Sequence, residues 1–447
     1  MSLKITVIGT GYLGATHAAA MAELGFEVLG LDVVPEKIEM LQRGEVPMYE
    51  PGLEELLKKH VAGIEGSSGR LRFTMDFAEV AAFGDVHFVC VNTPQRHGEY
   101  AADMSYVDAA VASLAPHLTG PALVVGKSTV PVGSADRLAA YLAEHAPAGQ
   151  DAELAWNPEF LREGFAVQDT LHPDRLVAGV RSERAEKLLR EVYATPISQG
   201  TPFVVTDFPT AELVKTSANS FLATKISFIN AMAELCEAAN GDVAKLAEAI
   251  GYDDRIGKKF LRAGIGFGGG CLPKDIRAFM ARAGELGADQ ALSFLREIDS
   301  INMRQRGQMV ELARQALGGG SFLGKRVAVL GAAFKPDSDD VRDSPALNVA
   351  GQIHLQGGQV TVYDPKGMDN ARRLFPTLVY ADTAIEAAQG ADVVLHLTEW
   401  REFRELDPAA LGAVASDRVI LDGRNALDPE LWRKAGWRYR AMGRPTA

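Results

Sequence analysis

Cys271 is the residue whose setting best suits covalent chemistry. It follows Gly264-Ile265-Gly266-Phe267-Gly268-Gly269-Gly270 and precedes Leu272-Pro273-Lys274-Asp275. A glycine-rich run with a proline just after the cysteine predicts a loop that delivers the thiol to a helix start. Helix N-terminal amides and the Lys274 charge would both favour the thiolate, and the glycines would let a substrate approach sulfur. An isolated cysteine is more often a small core filler. That reading is kept for Cys90, in an apolar strand pattern, and for Cys236, on a long helical pattern. Three scattered cysteines make neither a disulfide framework nor a paired-cysteine zinc site, and no His/Cys/carboxylate cluster calls for a metal.

Other groups gather in short segments. Lys215 and Asn219 are four apart in a helical pattern, so they project from one face, although such a stripe is commonly just solvated. Asn157-Pro158-Glu159-Phe160-Leu161-Arg162-Glu163-Gly164 sets two acids and an arginine in a turn-rich stretch, which alone is also an ordinary solvated loop. Gly9-Thr10-Gly11-Tyr12-Leu13-Gly14 is more specific, because it lies between a predicted strand and a predicted helix, and Asp32 closes the next strand. Glycines there allow a tight turn and close approach of a pyrophosphate to the helix N-terminus, while Asp32 accepts from ribose hydroxyls. A carboxylate at that point opposes a 2′-phosphate, so NAD is expected over NADP.

Positioning these groups requires a parallel, helix-covered sheet. Strand-like runs at Lys4 to Ile8, Glu27 to Leu31, Val86 to Val91, Ala122 to Gly126 and Phe203 to Thr206 alternate with helical stretches. From Ala211 to Ala239 apolar residues recur at helical spacing up to the stop at Asn240-Gly241, predicting one helix of roughly 43 Å that bridges domains or forms a subunit interface. A flexible break at Gly318-Gly319-Gly320-Ser321 precedes a second series of strands. There Arg326 to Leu330 and Val360 to Asp364 faintly repeat the Ile5-to-Asp32 pattern without a second GxGxxG, so this unit should bind a different nucleotide. The expected fold is α/β: two Rossmann-like domains, residues 1–206 and 318–447, joined by a central helical domain at 207–317.

Composition narrows the function classes. The chain has 447 residues, 47% apolar and 23% charged, enough to bury a large core. Its net charge of −12 argues against general nucleic-acid binding, which needs a broad basic surface. No membrane-length apolar run and no signal-peptide plan occur, so a cytoplasmic enzyme without a membrane partner is expected.

Taken together the motifs resemble those of the UDP-glucose/GDP-mannose dehydrogenase family, in order and along essentially the whole chain. Those carrying the resemblance include Glu50-Pro51-Gly52-Leu53, Val91-Asn92-Thr93-Pro94, Lys127-Ser128-Thr129-Val130-Pro131, Asn157 to Gly164, Glu212-Leu213-Val214-Lys215, the Cys271 loop, and Phe334-Lys335 with Arg342. The resemblance implies NAD on the first domain, a nucleotide sugar on the third, and a homodimer built on the long helix. It implies Cys271 as nucleophile, Lys215, Asn219 and Asp275 around the reacting carbon, and Thr129 and Glu159 positioning or activating water. Leu13, Asp32, Lys37, Thr93, Thr129, Glu163, Lys274 and Arg342 match cofactor-contact positions. Phe160, Leu161, Arg162 and Glu163, then Phe260, Leu261, Arg262, Ala263 and Gly264, then Gly268, Lys335 and Arg424 match substrate-contact positions, and Arg255 matches an arginine that reaches the neighbouring subunit's substrate.

The chemistry so implied is a four-electron oxidation of UDP-glucose to UDP-glucuronate through a thiohemiacetal and a thioester on Cys271, with two NAD reduced. His172-Pro173-Asp174-Arg175 and Asp254-Arg255-Ile256-Gly257 favour UDP-glucose over GDP-mannose, with N-acetylated sugars third. A two-electron hydroxyacid dehydrogenase would leave Cys271 idle, and a silent nucleotide-sugar binder would leave Lys215 and Asp275 idle too. Three positions depart from the family pattern: Gly270 and Leu272 stand where many relatives carry Ser and Phe, and Ser134 replaces a usual Thr. His87 is expected to be a satisfied structural residue.

Overall fold

A computed structural model describes residues 3–445; the outermost residues of the first and third predicted domains, 1–2 and 446–447, lie outside the described residues. The chain divides into two compact units, Met1–Ala218 with Arg277–Leu286, and Asn219–Ile276 with Gly287–Ala447.

The first unit is built on eight strands: β1 (Lys4–Ile8), β2 (Glu27–Leu31), β3 (Leu71–Thr74), β4 (Val86–Val89), β5 (Ala122–Gly126), β6 (Ala152–Trp156), β7 (Leu176–Gly179) and β8 (Phe203–Thr206). Their order across the sheet is β3-β2-β1-β4-β5-β6-β7-β8. All neighbours run parallel except β6 and β7, which meet antiparallel at Trp156 and Gly179. Every residue of β4, β5 and β7 is buried, as expected of strands covered by helices on both faces. One core layer gathers Ile5, Val7 and Phe88 with Ala18 and Met21 of the helix Tyr12–Glu23, and the other gathers Ile8, Leu29 and Val89 with Leu138 and Leu142 of the helix Ser134–His145. The strand predicted to reach Val91 ends at Val89: Cys90 N makes one last bond, to Ile8 O at 2.8 Å, and the chain beyond turns into the loop holding Thr93.

His87 departs from expectation. It is fully buried with Nδ1 2.8 Å from Thr6 Oγ1, but Nε2 has no hydrogen-bond partner among the described residues. Burial lowers its pKa to about 4 against the opposing pull of Asp85, so the ring is neutral and only half satisfied.

The long helix spans Phe208–Ala239 and starts three residues before the predicted Ala211. The Asp207 side chain accepts from Thr210 N at 2.7 Å and fixes that start. Its end follows the predicted stop: Asn240 has φ +56° and Gly241 N donates to Cys236 O at 2.7 Å.

The second unit carries six strands, β9 (Arg326–Leu330), β10 (Gln359–Tyr363), β11 (Val379–Tyr380), β12 (Val393–His396), β13 (Val419–Asp422) and β14 (Arg438–Ala441), all parallel in the order β11-β10-β9-β12-β13-β14. That is the order of β3-β2-β1-β4-β5-β6, so the faint sequence echo reflects a repeated Rossmann-like topology. The turn after the first strand repeats as well: Gly9 N donates to Leu31 O at 2.7 Å, and Gly331 N to Tyr363 O at 2.8 Å. Met309, Val310 and Ala313 of the helix Ser293–Ala316 pack into the core of this sheet. No helix among the described residues is long and apolar enough to cross a membrane.

Candidate active site

In the first unit, the glycine turn lies at the carboxyl end of β1. A Cβ on Gly14 would stand 1.8 Å from Gly9 O, so only glycine lets the helix Tyr12–Glu23 pack this close to the turn. Gly11 caps that helix with no side-chain hydrogen bond, its first turn carries no acidic residue, and Leu13 is partly buried against the core. These features suit the pyrophosphate of a dinucleotide. Asp32 is buried, and its Oδ2 accepts from Thr10 N at 2.9 Å, Thr10 Oγ1 at 3.1 Å and Lys37 Nζ at 3.0 Å. Among the described residues Oδ1 takes a single bond, from Val34 N at 3.2 Å. Burial pushes the Asp32 pKa up, but the Lys37 ammonium and the two amides outweigh it and hold the carboxyl below its ordinary range. The resulting carboxylate, with one lightly used oxygen, fits a ribose diol.

The loops at the carboxyl ends of β4 to β6 bring the next group together. Thr93 Oγ1 donates to Thr129 O at 2.8 Å, tying the two threonine loops. Glu159 Oε1 lies 2.9 Å from Lys215 Nζ, and its other oxygen accepts from Leu161 N at 2.6 Å. Lys215 is thus a buried ammonium paired with a carboxylate, 5.8 Å from the Phe160 ring, and Arg175 covers the same ring at 3.8 Å. Arg162 is held by Asp169 at 2.5 and 2.9 Å. Glu163 belongs to the same segment, just before Gly164.

Two carboxylates carried by the family-like motifs turn out to be braces. Glu50 is buried and accepts from Gly164 N and Ala166 N, both at 2.7 Å, and from Tyr12 OH. Burial first, then Glu50, drives the Tyr12 phenol pKa upward. Together they join the dinucleotide turn to the end of the 157–164 segment. Glu212 accepts from Gly133 N and Ala135 N at 2.7 Å, so it caps the helix Ser134–His145 rather than acting on a ligand.

In the second unit, Cys271 is exposed and immediately precedes the helix Leu272–Glu285, with its carbonyl accepting from Asp275 N at 2.9 Å. Asp275 is buried and accepts from Asn219 Nδ2 at 2.7 Å and Lys274 Nζ at 2.5 Å. Asn219 and Asp275, 56 positions apart in sequence, thus meet beside the cysteine's helix start. Lys274, expected to act on the thiol, directs its charge at Asp275.

The loop before Cys271 is glycine-rich for a reason beyond ligand access. A Cβ on Gly268 would stand 2.3 Å from Asp343 O, and Phe267 is pinned through both N and O by Asn302 at 2.7 and 3.0 Å. At Gly270 a Cβ would stand 2.2 Å from the Arg342 guanidinium, the end of a flexible side chain. Arg342 therefore fills the space that a side chain at position 270 would occupy. Arg342 itself is bonded to Asp340, at 2.7 to 3.0 Å.

Arg424 acts as a clamp, donating to the carbonyls of Leu397, Gly266 and Phe334 at 2.8, 2.8 and 3.1 Å. Lys335 follows Phe334, with Nζ 5.6 Å from its ring. Phe260 has φ +63°, a strained conformation for an aromatic residue, and is half-exposed, whereas Leu261 and Ala263 are buried and Gly264 N is held by Asn230 Oδ1 at 2.8 Å. Arg262 lies 4.0 Å from Glu399, while the Arg255 side chain is 89% exposed and pairs with Asp253, two residues before it. Asp364, the counterpart of Asp32, is closed: its oxygens accept from the backbone N–H groups of Ala332, Ala333, Lys366 and Gly367 and from Trp400 Nε1. A ribose diol has no open oxygen there, which sets the second Rossmann-like sheet apart from the first as a nucleotide site.

Three models of one family match successive stretches of the chain: the NAD binding domain at 3–197, the central domain at 209–304 and the UDP binding domain at 328–429. The chain belongs to the UDP-glucose/GDP-mannose dehydrogenase family. It is 42% identical over 445 residues to the UDP-glucose 6-dehydrogenase of Rhizobium meliloti, covering 99% of this chain and all of that protein. Its fold is similar to the UDP-glucose dehydrogenase of the archaeon Pyrobaculum islandicum, with a TM-score of 0.89 and 37% identity over 99% of this chain and 98% of the other. A UDP-D-ManNAc dehydrogenase from Pyrococcus horikoshii superposes with a TM-score of 0.86 at 28% identity, with both chains covered completely. The enzyme is thus an NAD-dependent nucleotide-sugar dehydrogenase. Within this family the glycine turn and Asp32 lie in the part matched as NAD binding, and Lys335, Arg342 and Arg424 in the part matched as UDP binding.

Proposed function

We propose that this enzyme oxidises carbon 6 of UDP-glucose to the carboxylate of UDP-glucuronate through a thioester on Cys271. The observation that carries the reading is an exposed thiol at a helix start whose first turn bears a buried carboxylate, Asp275, ordered by Asn219 and Lys274. NAD, when bound, supplies the hydride acceptor, one molecule for each of two oxidations. As carbon 6 first loses hydride, the Lys215 ammonium stabilises the alkoxide, and Asn219 orients the oxygen. Cys271 Sγ then adds to the aldehyde carbon: a C–S bond forms and the carbonyl oxygen takes the proton, giving a thiohemiacetal. Loss of a second hydride leaves the thioester. Water positioned by Glu159 and Thr129 gives up a proton near Asp275, attacks the acyl carbon and expels the thiolate. One alcohol, two NAD and one water become one acid and two NADH, with protons released.

UDP-glucose is chosen because relatives near 40% identity carry that name, and the UDP-binding family model supports the base. GDP-mannose is the alternative, with the same mechanism. A panel of UDP-glucose, GDP-mannose and UDP-N-acetylmannosamine followed by NADH absorbance tests the choice: UDP-glucose should exceed the others in kcat/KM, by up to roughly 10⁴-fold where a polar contact to a sugar hydroxyl is lost. Preference for GDP-mannose would overturn the substrate.

The proposal includes a three-part organisation, 1–206, 207–317 and 318–447, and a cytoplasmic homodimer. Supporting the dimer, Phe221, Phe228 and Leu235 recur every seven residues on the long helix and are exposed.

A further inference from the structure

Lys127 lies one residue beyond β5 with its side chain buried. Its Nζ donates to Asn157 Oδ1 at 2.9 Å and to Tyr193 OH at 3.3 Å, and no carboxylate among the described residues stands within ion-pair distance. Tyr193 OH also donates to Asn157 Oδ1 at 2.6 Å, and Asn157 Nδ2 donates to Val177 O at 2.7 Å. The Asn157 amide is therefore fixed on both sides, at the point where the chain leaves β6 for the segment carrying Glu159. A buried ammonium with neutral partners is costly, and an apolar side chain of similar size would fill the same space without that cost. Stability of the fold does not explain a lysine here.

We propose that Lys127 is a positioning residue for the reaction: its charged amine locks Asn157 and thereby the Glu159 turn, and loss of that charge sets the alkaline limit of activity. The inference rests on the functional reading above. The charged and titratable groups facing Lys127 are His17 on the helix Tyr12–Glu23, Cys90 after β4, Glu159 in the segment after β6, Tyr193 at the end of the helix Glu183–Val192, and Lys215 on the long helix. Burial lowers the Lys127 pKa to about 8, with Lys215 lowering it further and Cys90 and Glu159 opposing. His17 is kept neutral by burial and by Lys127, burial pushes the Cys90 thiol up to about 12, and burial raises the Tyr193 phenol beyond that. None of these three changes charge between pH 7 and 9, where Lys127 does.

Because the folded pKa lies below the 10.5 of a free lysine, charging the amine opposes folding below about pH 8, and that opposition fades as pH rises toward 10.5. The test compares the full-length enzyme with Lys127→Met in kcat at saturating UDP-glucose and NAD, and in melting temperature, from about pH 6.5 to 9.5. It adds ¹³C-lysine NMR of both proteins without substrate. The wild type should lose activity along a limb near pH 8 and show one lysine titrating there. The variant should lack both, run roughly 10- to 100-fold slower at neutral pH, and melt no lower than wild type at pH 7. A wild-type rate or an unchanged limb in Lys127→Met, or no lysine titrating below pH 9 in the wild type, would overturn the proposal. If the variant does not fold, Asn157→Asp sets a carboxylate against the amine and should move the limb upward by about one pH unit or more; an unmoved limb overturns it equally. Absence of turnover in the wild type with UDP-glucose would instead sink the functional reading, since the lysine signal is read without substrate.

Discussion

At the scale of single residues, Cys271 and Asp32 stand in local patterns that suggest a chemistry from the sequence alone, whereas Lys215 stood out only through the family resemblance, since a polar pair four apart on a helix is commonly just solvated. Cys271→Ala should abolish acid formation, as no thiohemiacetal can form from which to lose the second hydride. Mass spectrometry of Cys271→Ser after incubation with UDP-glucose and NAD should show a slowly hydrolysing ester; a fully active alanine variant would remove the thiol from the mechanism. Asp32 leads to a second expectation, a kcat/KM for NAD well above that for NADP, because its carboxylate lies below its ordinary pKa and stays charged at neutral pH. Comparable values for both cofactors would contradict that role. Glu50 shows what was not legible. Its partners Gly164 and Ala166 lie 114 and 116 positions away, and no local spacing reveals a carboxylate whose work is to accept distant backbone amides.

At the scale of elements, long apolar runs with clear stops were readable: β1, β2, β5 and β8 fall where the pattern placed them, and the long helix ends at the expected residue. The strands β3, β6 and β7 were not. Leu71–Thr74 breaks its apolar residues with an arginine and Leu176–Gly179 ends in alanine and glycine, unlike the Phe-Val-Val-Thr run of β8, and Ala152–Trp156 mixes alanines with an acid, a composition that suits a helix as well. The helix start at Phe208 was missed because it depends on the Asp207 cap rather than on apolar spacing. Glu50 joins two of these elements, so Glu50→Gln tests whether the joint matters. Replacing one acceptor oxygen by an amide leaves a buried N–H facing another N–H, which should cost about 1–3 kcal/mol in denaturant unfolding and lower kcat/KM by disturbing the 157–164 segment. An unchanged midpoint together with unchanged kinetics would show that the joint is dispensable.

At the scale of the whole molecule, the repeated Rossmann-like topology was visible only as a faint echo, since a shared strand order does not require shared residues. The donors around Asp364 leave that carboxylate no oxygen open to a ribose diol, a second difference from the first copy beside the missing GxGxxG. Light scattering at micromolar concentration should give twice the 48.0 kDa chain mass, and charged replacements of Phe221 and Phe228 should reduce it; an active monomer would refute the dimer. Central to the proposed mechanism is a four-electron reaction in which the Cys271 thiol holds the intermediate. Limiting UDP-glucose with excess NAD, followed to completion by NADH absorbance, measures that directly. Two NADH per sugar are expected, with UDP-glucuronate as the product, whereas one NADH per sugar and a released aldehyde would overturn the thioester mechanism.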